Sequence, residues 1–501
     1  MRAMRTVLFL LALLAATAAA AQVPAQMPER APDLVLTGKL TGADHHRYTS
    51  APFRVPRGVK RLVIAFDHDG RADRTVIDLG VEDAQRFRGA SGGDKALISI
   101  AERDATPSYL PGQIDPGIWR LTLAVPNIRA KAVTKWTARL WFLKAAASPT
   151  PAPVVDRGPG WYRGDLHLHT AHSDGACASQ SGQRVPCPVF KTLETAAARG
   201  LDFIAVTDHN TPSALASIAE AQPYFDRLLV IPGREITTFF GHFNIFGTAE
   251  PLDYRITPNG PVTFNAIADR VHALGGLVSI NHPGLPSGEA CMGCGWAMPN
   301  ADLGRADAIE VINGGAMALP GGVEGPLSGL GLWLRAMAAP QSITAIGGSD
   351  NHDAGRTDNA PGTIGRPTTV VHAEALTQAA ILKGIRQGRV FVDLAGDPAA
   401  LLDLRVEAGA SQAPMGGRLR VAAGEAVSAH VRASAVAGAS LDLLVDEKLL
   451  ARVALASSKD VQVPLTGLAT GLVTGTSVVR AVVRDARGSI VLMSNAVLID
   501  R

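Results

Sequence analysis

The sequence is poor in aromatic residues, which make up 5% of its 501 residues, and it contains only four cysteines. Charged residues are also scarce, at 19%, and the formal net charge is only +3. Because no long basic run is present, a nucleic-acid partner is not expected. No β-rich region carries an aromatic platform from which a ligand could be named. The hydrophobic content of 47% is typical of a globular protein, and the length predicts two to four domains.

An apolar run long enough to span a membrane is missing, and the run near the N-terminus, residues 6–16, is too short. This run follows Arg2 and Arg5 and precedes an Ala-x-Ala site that ends at Ala21. That order is typical of a cleavable signal peptide, which we place at residues 1–21. No cysteine lies at the cleavage site, so a lipid anchor is not expected. We predict a periplasmic or secreted protein without a membrane anchor.

Three regions of the chain differ in pattern. Short apolar runs between Gly, Pro and Asp clusters predict an all-β domain, sandwich-like or jelly-roll-like, over residues 22–148. After a Pro/Ala-rich linker, strands alternate with helices over residues 155–396, which predicts a largely parallel sheet closed into a barrel. The β pattern returns over residues 399–501 and predicts a second β-sandwich-like domain. The predicted fold class is therefore multidomain, α/β plus all-β.

The four cysteines fall in two short loops of the middle region. Cys177 and Cys187 flank one loop, and Cys291 and Cys294 form a Cys-x-x-Cys motif in another. In an exported protein this spacing favours two local disulfides. A structural zinc site built from all four cysteines is the alternative.

The segment from Asp165 to Gly175 has the strongest chemical pattern of the chain. His167 and His169 are two residues apart in a predicted strand, so their imidazoles point to the same face. A Ser-Asp-Gly turn then returns Asp174 towards them. Two imidazoles and a carboxylate are suitable ligands for a divalent cation such as Zn, Mn or Fe.

More histidines and carboxylates fall at the ends of predicted strands in the same region. They are Asp208, His209, Glu235, His242, His282, Asp350 and His352. Taken singly, each would more often be a hydrogen-bonded loop residue. In a β/α barrel, however, the carboxyl ends of the strands surround one mouth. We therefore predict that these side chains converge on a metal site.

These motifs resemble those of the PHP (polymerase and histidinol phosphatase) metal-dependent hydrolases. The resemblance is carried by His167-x-His169 with Ser-Asp-Gly, by Thr-Asp-His209, and by Asp350-x-His352. The phrases around Glu235 and His242 resemble the carbaryl-hydrolase-like (CehA/McbA-like) branch. The resemblance covers residues 161–395 and implies a central distorted (β/α)7 barrel, flanked here by the N- and C-terminal β-sandwich-like domains.

The resemblance also implies a ligand set for two or three divalent metal ions. His167, His169, Glu235 and Asp350 would hold one ion, and Glu235 would bridge to a second held by His242 and His282. Asp174, His209 and His352 would hold a third, with His172 as the alternative to Asp174. Asp208, Asn281 and Asn351 are expected to form hydrogen bonds that orient these ligands.

A metal-activated water could hydrolyse a phosphate ester, a carboxylic ester or a carbamate, and no Ser or Cys nucleophile is apparent. We favour a small-molecule phosphoester, mono- or diester, over the aryl carbamate or ester that the branch implies. Arg234, Arg356 and Arg366 are candidate phosphate-binding cations, although each could equally be a structural ion-pair partner. We assign Arg366 to the catalytic set with Glu235 and Asp350. A non-catalytic glycan- or cell-wall-binding protein is the third hypothesis, and the sequence indicates no oligomeric state.

Overall fold

The computed structural model describes residues 27–93, 95–144, 154–289, 291–337, 343–422, 424–434, 438–455, 458–465 and 476–500. The predicted signal peptide lies outside these described residues, as does most of the predicted linker. The chain divides into two compact units. The first comprises 27–100 and 108–143, and the second comprises 101–107 and 144–501.

The first unit consists of two four-stranded sheets, with strand orders β1-β8-β3-β6 and β2-β7-β4-β5. Its strands are β1 Leu34–Thr41, β2 Arg47–Val55, β3 Arg61–His68, β4 Val76–Glu82, β5 Phe87–Ser91, β6 Leu97–Ala101, β7 Gly117–Asn127 and β8 Val133–Leu143. In β7 every second residue from Trp119 to Val125 is buried, and the residues between them are more exposed. This period of two is the pattern from which the sequence predicts strands.

The second unit is built on a long mixed sheet. Its first strands are β9 Gly160–Asp165, β10 Ala176–Ala178, β11 Arg184–Pro186, β12 Phe203–Val206, β13 Leu229–Thr238, β14 Gly241–Phe246, β15 Leu277–Ile280, β16 Ala308–Asn313, β17 Thr344–Gly348, β18 Thr368–Ala373 and β19 Val390–Asp393. Their order in the sheet is β17-β16-β15-β14-β13-β12-β9-β18-β19, while β10 and β11 form a separate hairpin. Helices are few and short. They are α1 Val189–Ala198, α2 Leu215–Ala221, α3 Phe264–Ala273, α4 Gly314–Met317, α5 Leu330–Ala336 and α6 Gln378–Arg386.

The prediction of a largely parallel sheet is wrong. Strands β9, β12 and β13 are parallel, as are β15, β16 and β17, but β14 is antiparallel to both β13 and β15. Strand β13 turns directly into β14 through residues 239–240, without a helix. Gly241, whose φ is 140°, occupies this turn with a backbone conformation that favours glycine. A tight hairpin requires antiparallel strands, whereas parallel strands need a long crossover.

A closed barrel is not detected among the described residues, because the strand ladder follows an open path. The segments that follow β9 and β17 are nevertheless hydrogen-bonded. Asp350 N donates to His167 O (3.0 Å), and His169 N donates to Asn351 O (3.0 Å). These bonds bring two ligand-bearing segments together beyond the ends of their strands.

Some of the C-terminal strands extend the long sheet, and the others form a second sheet. The C-terminal strands are β20 Leu401–Ala408, β21 Ser411–Pro414, β22 Arg418–Arg420, β23 Val427–Ser434, β24 Ser440–Val445, β25 Lys448–Ala454, β26 Ser458–Pro464, β27 Thr476–Arg484, β28 Ile490–Ser494 and β29 Val497–Asp500. Strand β28 pairs with β19, and a second sheet has the order β21-β20-β23-β26. Part of the region predicted as a domain of its own over residues 399–501, the strands β22, β24, β25 and β27–β29, therefore shares a sheet with the region before it.

The buried Asn495, which follows β28, connects β17 and β19 to the C-terminal strands. Its Oδ1 accepts from Ala345 N (2.7 Å), and its Nδ2 donates to Ala345 O (2.8 Å) and Val390 O (2.9 Å).

Within the described part of the chain, no helix is both long and apolar enough to cross a membrane.

We expect Asn495→Ala to lower the free energy of unfolding by roughly 3 kcal/mol or more, because it leaves buried backbone groups without partners. Urea denaturation followed by circular dichroism measures the change. Asn265→Ala is the matched control, since Asn265 makes its hydrogen bonds at an exposed site. Equal losses in the two variants would contradict a special role for Asn495.

Candidate metal centre

The predicted ligands are carried by strand ends and by the hairpin of β13 and β14. His167 and His169 lie beyond the end of β9, so the prediction that the strand extends through His169 is wrong. Their spacing still places both imidazoles on one side, with ring centroids 5.2 Å apart. Glu235 lies within β13 and His242 within β14. Because that hairpin is antiparallel, the start of β14 lies beside the end of β13.

The Glu235 carboxylate lies at the centre of the cluster and is buried. Its Oε1 atom is 3.5 Å from His167 Nε2, 3.3 Å from His242 Nδ1 and 3.4 Å from His282 Nε2. Asn281 Nδ2 donates to the same oxygen at 3.0 Å. One carboxylate oxygen therefore faces three imidazole nitrogens.

The other oxygen of Glu235 faces a different pair of histidines. Its Oε2 atom is 2.8 Å from His209 Nδ1 and 3.6 Å from His169 Nε2. Asp350 Oδ1 approaches His169 Nε2 to 3.1 Å and His167 Nε2 to 3.3 Å. The two carboxylates thus enclose the His-x-His pair.

The exposed side of the cluster is formed by Asp174, His209 and His352. Asp174 Oδ1 is 3.3 Å from His352 Nε2 and 3.6 Å from His209 Nε2. The side chain of Asp174 is 57% exposed, whereas those of His167 and His169 are fully buried. This side is where a substrate can reach the centre.

All nine predicted ligands are therefore brought together, and their donor atoms fit divalent cations. Three groups have donor atoms within 4.8 Å of one another: His169 with Asp174, His209 and His352; His167 with His169 and Glu235; and His167 with His282 and Asp350. Two buried imidazole nitrogens, His167 Nε2 and His282 Nδ1, have no hydrogen-bond partner. Unpartnered buried donors and acceptors are costly unless another group satisfies them.

Two of the ligands have a backbone conformation that is uncommon outside glycine. The φ of His282 is 26° and that of Asp350 is 55°. Such conformations persist where surrounding contacts enforce them, and they are concentrated at functional sites. Here the His282 amide donates a hydrogen bond to Glu310 Oε2 at 3.0 Å, and the Asp350 amide donates one to the His167 carbonyl.

Glu310 is the residue that the sequence analysis missed. It lies buried in β16, where its Oε1 accepts from His167 Nδ1 at 3.0 Å. This bond leaves Nε2 of His167 free to face the cluster, as is usual for a carboxylate behind a metal-ligating histidine. Asn313 Nδ2 donates to the other oxygen of Glu310 at 3.0 Å. The available signal was a carboxylate inside the otherwise apolar run of β16.

The supporting residues that were predicted differ in what they contact. Asn281 binds Glu235 as described above. Asp208 does not orient an imidazole, because its oxygens accept from Thr170 N (2.8 Å), Thr170 Oγ1 (2.8 Å) and Ser173 Oγ (2.7 Å). It holds the loop after His169. Asn351 donates to the Gly362 carbonyl at 2.8 Å and therefore positions another loop.

His172, the alternative to Asp174, lies outside the cluster. Its Nδ1 is 2.8 Å from Ser213 Oγ. Among the described residues, the groups of possible metal ligands contain Asp174 and do not contain His172.

The three candidate arginines are not in contact with the cluster among the described residues. Arg234 is buried and donates to the Glu250 carbonyl at 2.6 Å, while Arg356 pairs with Asp358 at 3.2 Å. Arg366 is half-buried, its Nε has no hydrogen-bond partner, and burial lowers its pKa although Asp393 opposes this shift. The assignment of Arg366 to the catalytic set stays a prediction.

The charges of the cluster are strongly coupled. Burial opposes the charged form of His209, but Asp174 and Glu235 outweigh it and raise the pKa of His209 to about 10. Burial likewise opposes the Glu235 carboxylate, yet the neighbouring imidazoles, His167 first, hold its pKa well below the usual range. Despite their burial, the neighbouring carboxylates raise the pKa values of His167, His209, His282 and His352, which favours the protonated forms, whereas burial lowers the pKa of His169. A bound cation would replace those protons.

Both predicted disulfides are present, Cys177–Cys187 and Cys291–Cys294. The alternative, a zinc site built from all four cysteines, is therefore wrong. The first disulfide joins the two strands of the β10–β11 hairpin region beside the Asp174 turn.

No protein-family model and no curated protein matches the chain. Among solved structures it is similar to a two-domain protein from Bacteroides vulgatus, described as containing a PHP-like metal-dependent phosphoesterase. That likeness has a TM-score of 0.37 and 18% identity, and it covers 70% of this chain and 99% of the other. A protein from Bifidobacterium adolescentis, described as a metal-dependent phosphoesterase, has a TM-score of 0.27 and 17% identity. That match covers 40% of this chain and 91% of the other.

A third similar structure is an amidohydrolase from Chromobacterium violaceum with bound sulfate. It has a TM-score of 0.26 and 17% identity, with coverage of 40% of this chain and 92% of the other. TM-scores this low do not establish a shared fold or function. The function proposed below therefore depends on the site itself.

We expect Glu310→Gln to weaken zinc or manganese binding about 10–100-fold, because His167 loses the carboxylate that orients its ring. Competition with a chelator measures the affinity. Glu220→Gln, at an exposed position, is the matched control. Unchanged affinity in Glu310→Gln would contradict this role.

We expect metal binding to release protons at pH 7, because His209, with a pKa of about 10, must lose its proton to bind a cation. The apparent affinity should therefore rise with pH through the neutral range. Calorimetric titration in two buffers with different ionisation enthalpies measures the protons released. Identical heats in both buffers would contradict the prediction.

Proposed function

We propose that this protein is a metal-dependent hydrolase, with a small-molecule phosphoester, mono- or diester, as its favoured substrate class. Two or three divalent cations, Zn, Mn or Fe, would be held by the nine side chains described above. We further propose that the metal-binding region belongs to the carbaryl-hydrolase-like branch of the PHP family and has its (β/α)7 barrel. The protein is also proposed to be exported to the periplasm or outside the cell.

The observation that carries this proposal is the position of Glu235 between two groups of histidines. Five imidazoles surround a single buried carboxylate, and each of its oxygens faces a different group. A buried carboxylate that only formed an ion pair would need fewer partners than five imidazoles. Divalent cations held by Glu235 and these histidines would account for nitrogen donors around both of its oxygens.

Cations held there would lower the pKa of a water and stabilise negative charge on the attacked and leaving oxygens. The other roles belong to individual side chains of the site. Asp350 and Glu235 supply the negative charge that retains the cations, and Glu310 and Asn281 orient the ligands. His209 and His352, on the exposed side, would hold a cation where a substrate oxygen can reach it.

A carboxylic ester or aryl carbamate is the second candidate, and an apolar pair beside the site favours it. Phe239 is 86% exposed and Met292 is 75% exposed, although both side chains are apolar. Met292 adjoins the site directly, because His242 Nε2 donates to its carbonyl at 3.1 Å. Exposed apolar side chains next to a polar centre could contact an aryl group of a substrate.

We expect metal-dependent turnover of p-nitrophenyl phosphate or bis-p-nitrophenyl phosphate, lost at least 100-fold in Glu235→Ala because both groups of histidines lose their shared carboxylate. The assay uses the purified protein with added Mn²⁺ or Zn²⁺. A p-nitrophenyl carboxyl ester and 1-naphthyl methylcarbamate complete the panel. Glu220→Ala is the matched control and should retain full activity.

Turnover of only the ester or carbamate would replace the favoured substrate class by the second candidate. No turnover of any substrate, with metal bound, would contradict the hydrolase proposal for these classes and favour the non-catalytic binding protein.

A further inference from the structure

The Cys291–Cys294 disulfide lies against the metal centre, unlike the Cys177–Cys187 disulfide. The Sγ atom of Cys294 and ring nitrogens of His242 and His282 lie within 4.8 Å of one another. Cys294 and both histidines are buried, and His282 Nδ1 has no hydrogen-bond partner. One cysteine and two histidines are zinc-ligand types that together would leave a coordination position open, but here the sulfur is engaged in a disulfide.

The loop that carries the disulfide is attached at both ends to segments that carry ligands. It begins at His282, whose carbonyl accepts from Leu285 N at 3.0 Å. It ends at Ala297, whose amide donates to the Phe240 carbonyl, two residues before His242, at 2.8 Å. Between these points, the Met292 carbonyl accepts from His242.

Gly293 sets how closely this loop approaches the hairpin of β13 and β14. Its φ is 80°, and a Cβ atom there would lie against the Thr238 carbonyl oxygen and 3.1 Å from the Phe239 Cα. A side chain at this position would push the loop outward. The close approach holds Cys294 Sγ next to the histidines.

We propose that the Cys291–Cys294 pair is a redox-controlled metal ligand. When the disulfide is reduced, Cys294 supplies a thiolate to the cation position of His242 and His282, and oxidation withdraws it. The proposal rests on the metal centre proposed above. It adds a sulfur ligand that the sequence analysis did not assign to that centre.

The reaction requires a dithiol reductant, either a protein or a small molecule. Cys291 is partly exposed and Cys294 is buried, so a reductant thiolate can attack the Cys291 sulfur. The S–S bond breaks, Cys294 leaves as a thiolate beside the two histidines, and a mixed disulfide forms at Cys291. The second reductant thiol then displaces Cys291. The reductant loses two electrons and two protons and becomes a disulfide, and the cysteines gain them as two thiols. The proton of Cys294 passes to solvent when a cation binds.

A sulfur ligand changes which cation the centre prefers. Imidazole and carboxylate suit Zn, Mn and Fe, whereas thiolate favours the softer Zn²⁺ over Mn²⁺. Reduction should therefore raise zinc affinity by about tenfold or more, since groups that merely support a ligand already change affinity on that scale. Manganese affinity should change little.

Cobalt is the probe for this ligand, because a Co²⁺–thiolate bond absorbs in the near ultraviolet and imidazole or carboxylate ligation does not. Metal-free full-length protein is titrated with Co²⁺ before and after reduction with dithiothreitol, which is removed anaerobically. We expect the visible bands of bound Co²⁺ in both states and the thiolate band only after reduction. Cys291→Ser, which leaves Cys294 unpaired, should show that band without reductant.

Cys294→Ser is the matched variant, because it loses the same disulfide but leaves Cys291 as the free thiol. It should bind Co²⁺ without the thiolate band in either redox state. Loss of the band in Cys294→Ser also excludes Cys177 and Cys187 as its source. If one substitution prevents folding, the other still decides the proposal, because the band must appear without reductant in Cys291→Ser and must be missing from reduced Cys294→Ser.

Visible Co²⁺ bands with no thiolate band in reduced wild-type protein and in Cys291→Ser would overturn the redox-controlled ligand and leave the metal centre intact. No Co²⁺ binding to oxidised wild-type protein would instead contradict the metal centre proposed above, and the redox-controlled ligand with it.

Discussion

The structure around the site depends on one buried charge, the carboxylate of Glu235. An unpaired carboxylate in the interior would be too costly to keep ionised. Five imidazoles surround it, and they come from segments far apart in the chain. The strand ends must therefore meet at one place for the interior to be stable. The same requirement assembles a set of donors suited to divalent cations.

The antiparallel hairpin of β13 and β14 explains how this arrangement is reached. A helical crossover after β13 would have moved the next strand, with His242, away from Glu235. The tight turn at Gly241 instead leaves both residues at the same end of the sheet. The hairpin also provides the surface against which Gly293 packs. One departure from the β/α pattern therefore positions a ligand and a redox-active loop together.

The polarity of the site is graded from the interior to the solvent. His167 is fully buried and is supported by Glu310, whereas Asp174 is largely exposed. Phe239 and Met292 are exposed apolar residues beside this polar mouth. An approaching substrate would thus contact the apolar side chains of Phe239 and Met292 and the exposed carboxylate of Asp174 before it reached the buried donors. This arrangement suits a small substrate with both an apolar and an anionic or ester part.

The sequence by itself predicted which histidines and carboxylates converge, because the His-x-His spacing and the positions at strand ends are local features. It also predicted the alternating strands, and it favoured the two local disulfides. Tertiary structure alone decided the rest. The carboxylate of Glu310 is conspicuous in the apolar run of β16, but the sequence does not show that it reaches His167, and Cys294 lies beside His242 only through the folding of a loop. The mixed sheet likewise depends on the tight turn at Gly241 and on the antiparallel pairing of β18 with β9 and β19. Contacts between distant segments depend on how strands are ordered and paired, and a local pattern does not encode that order.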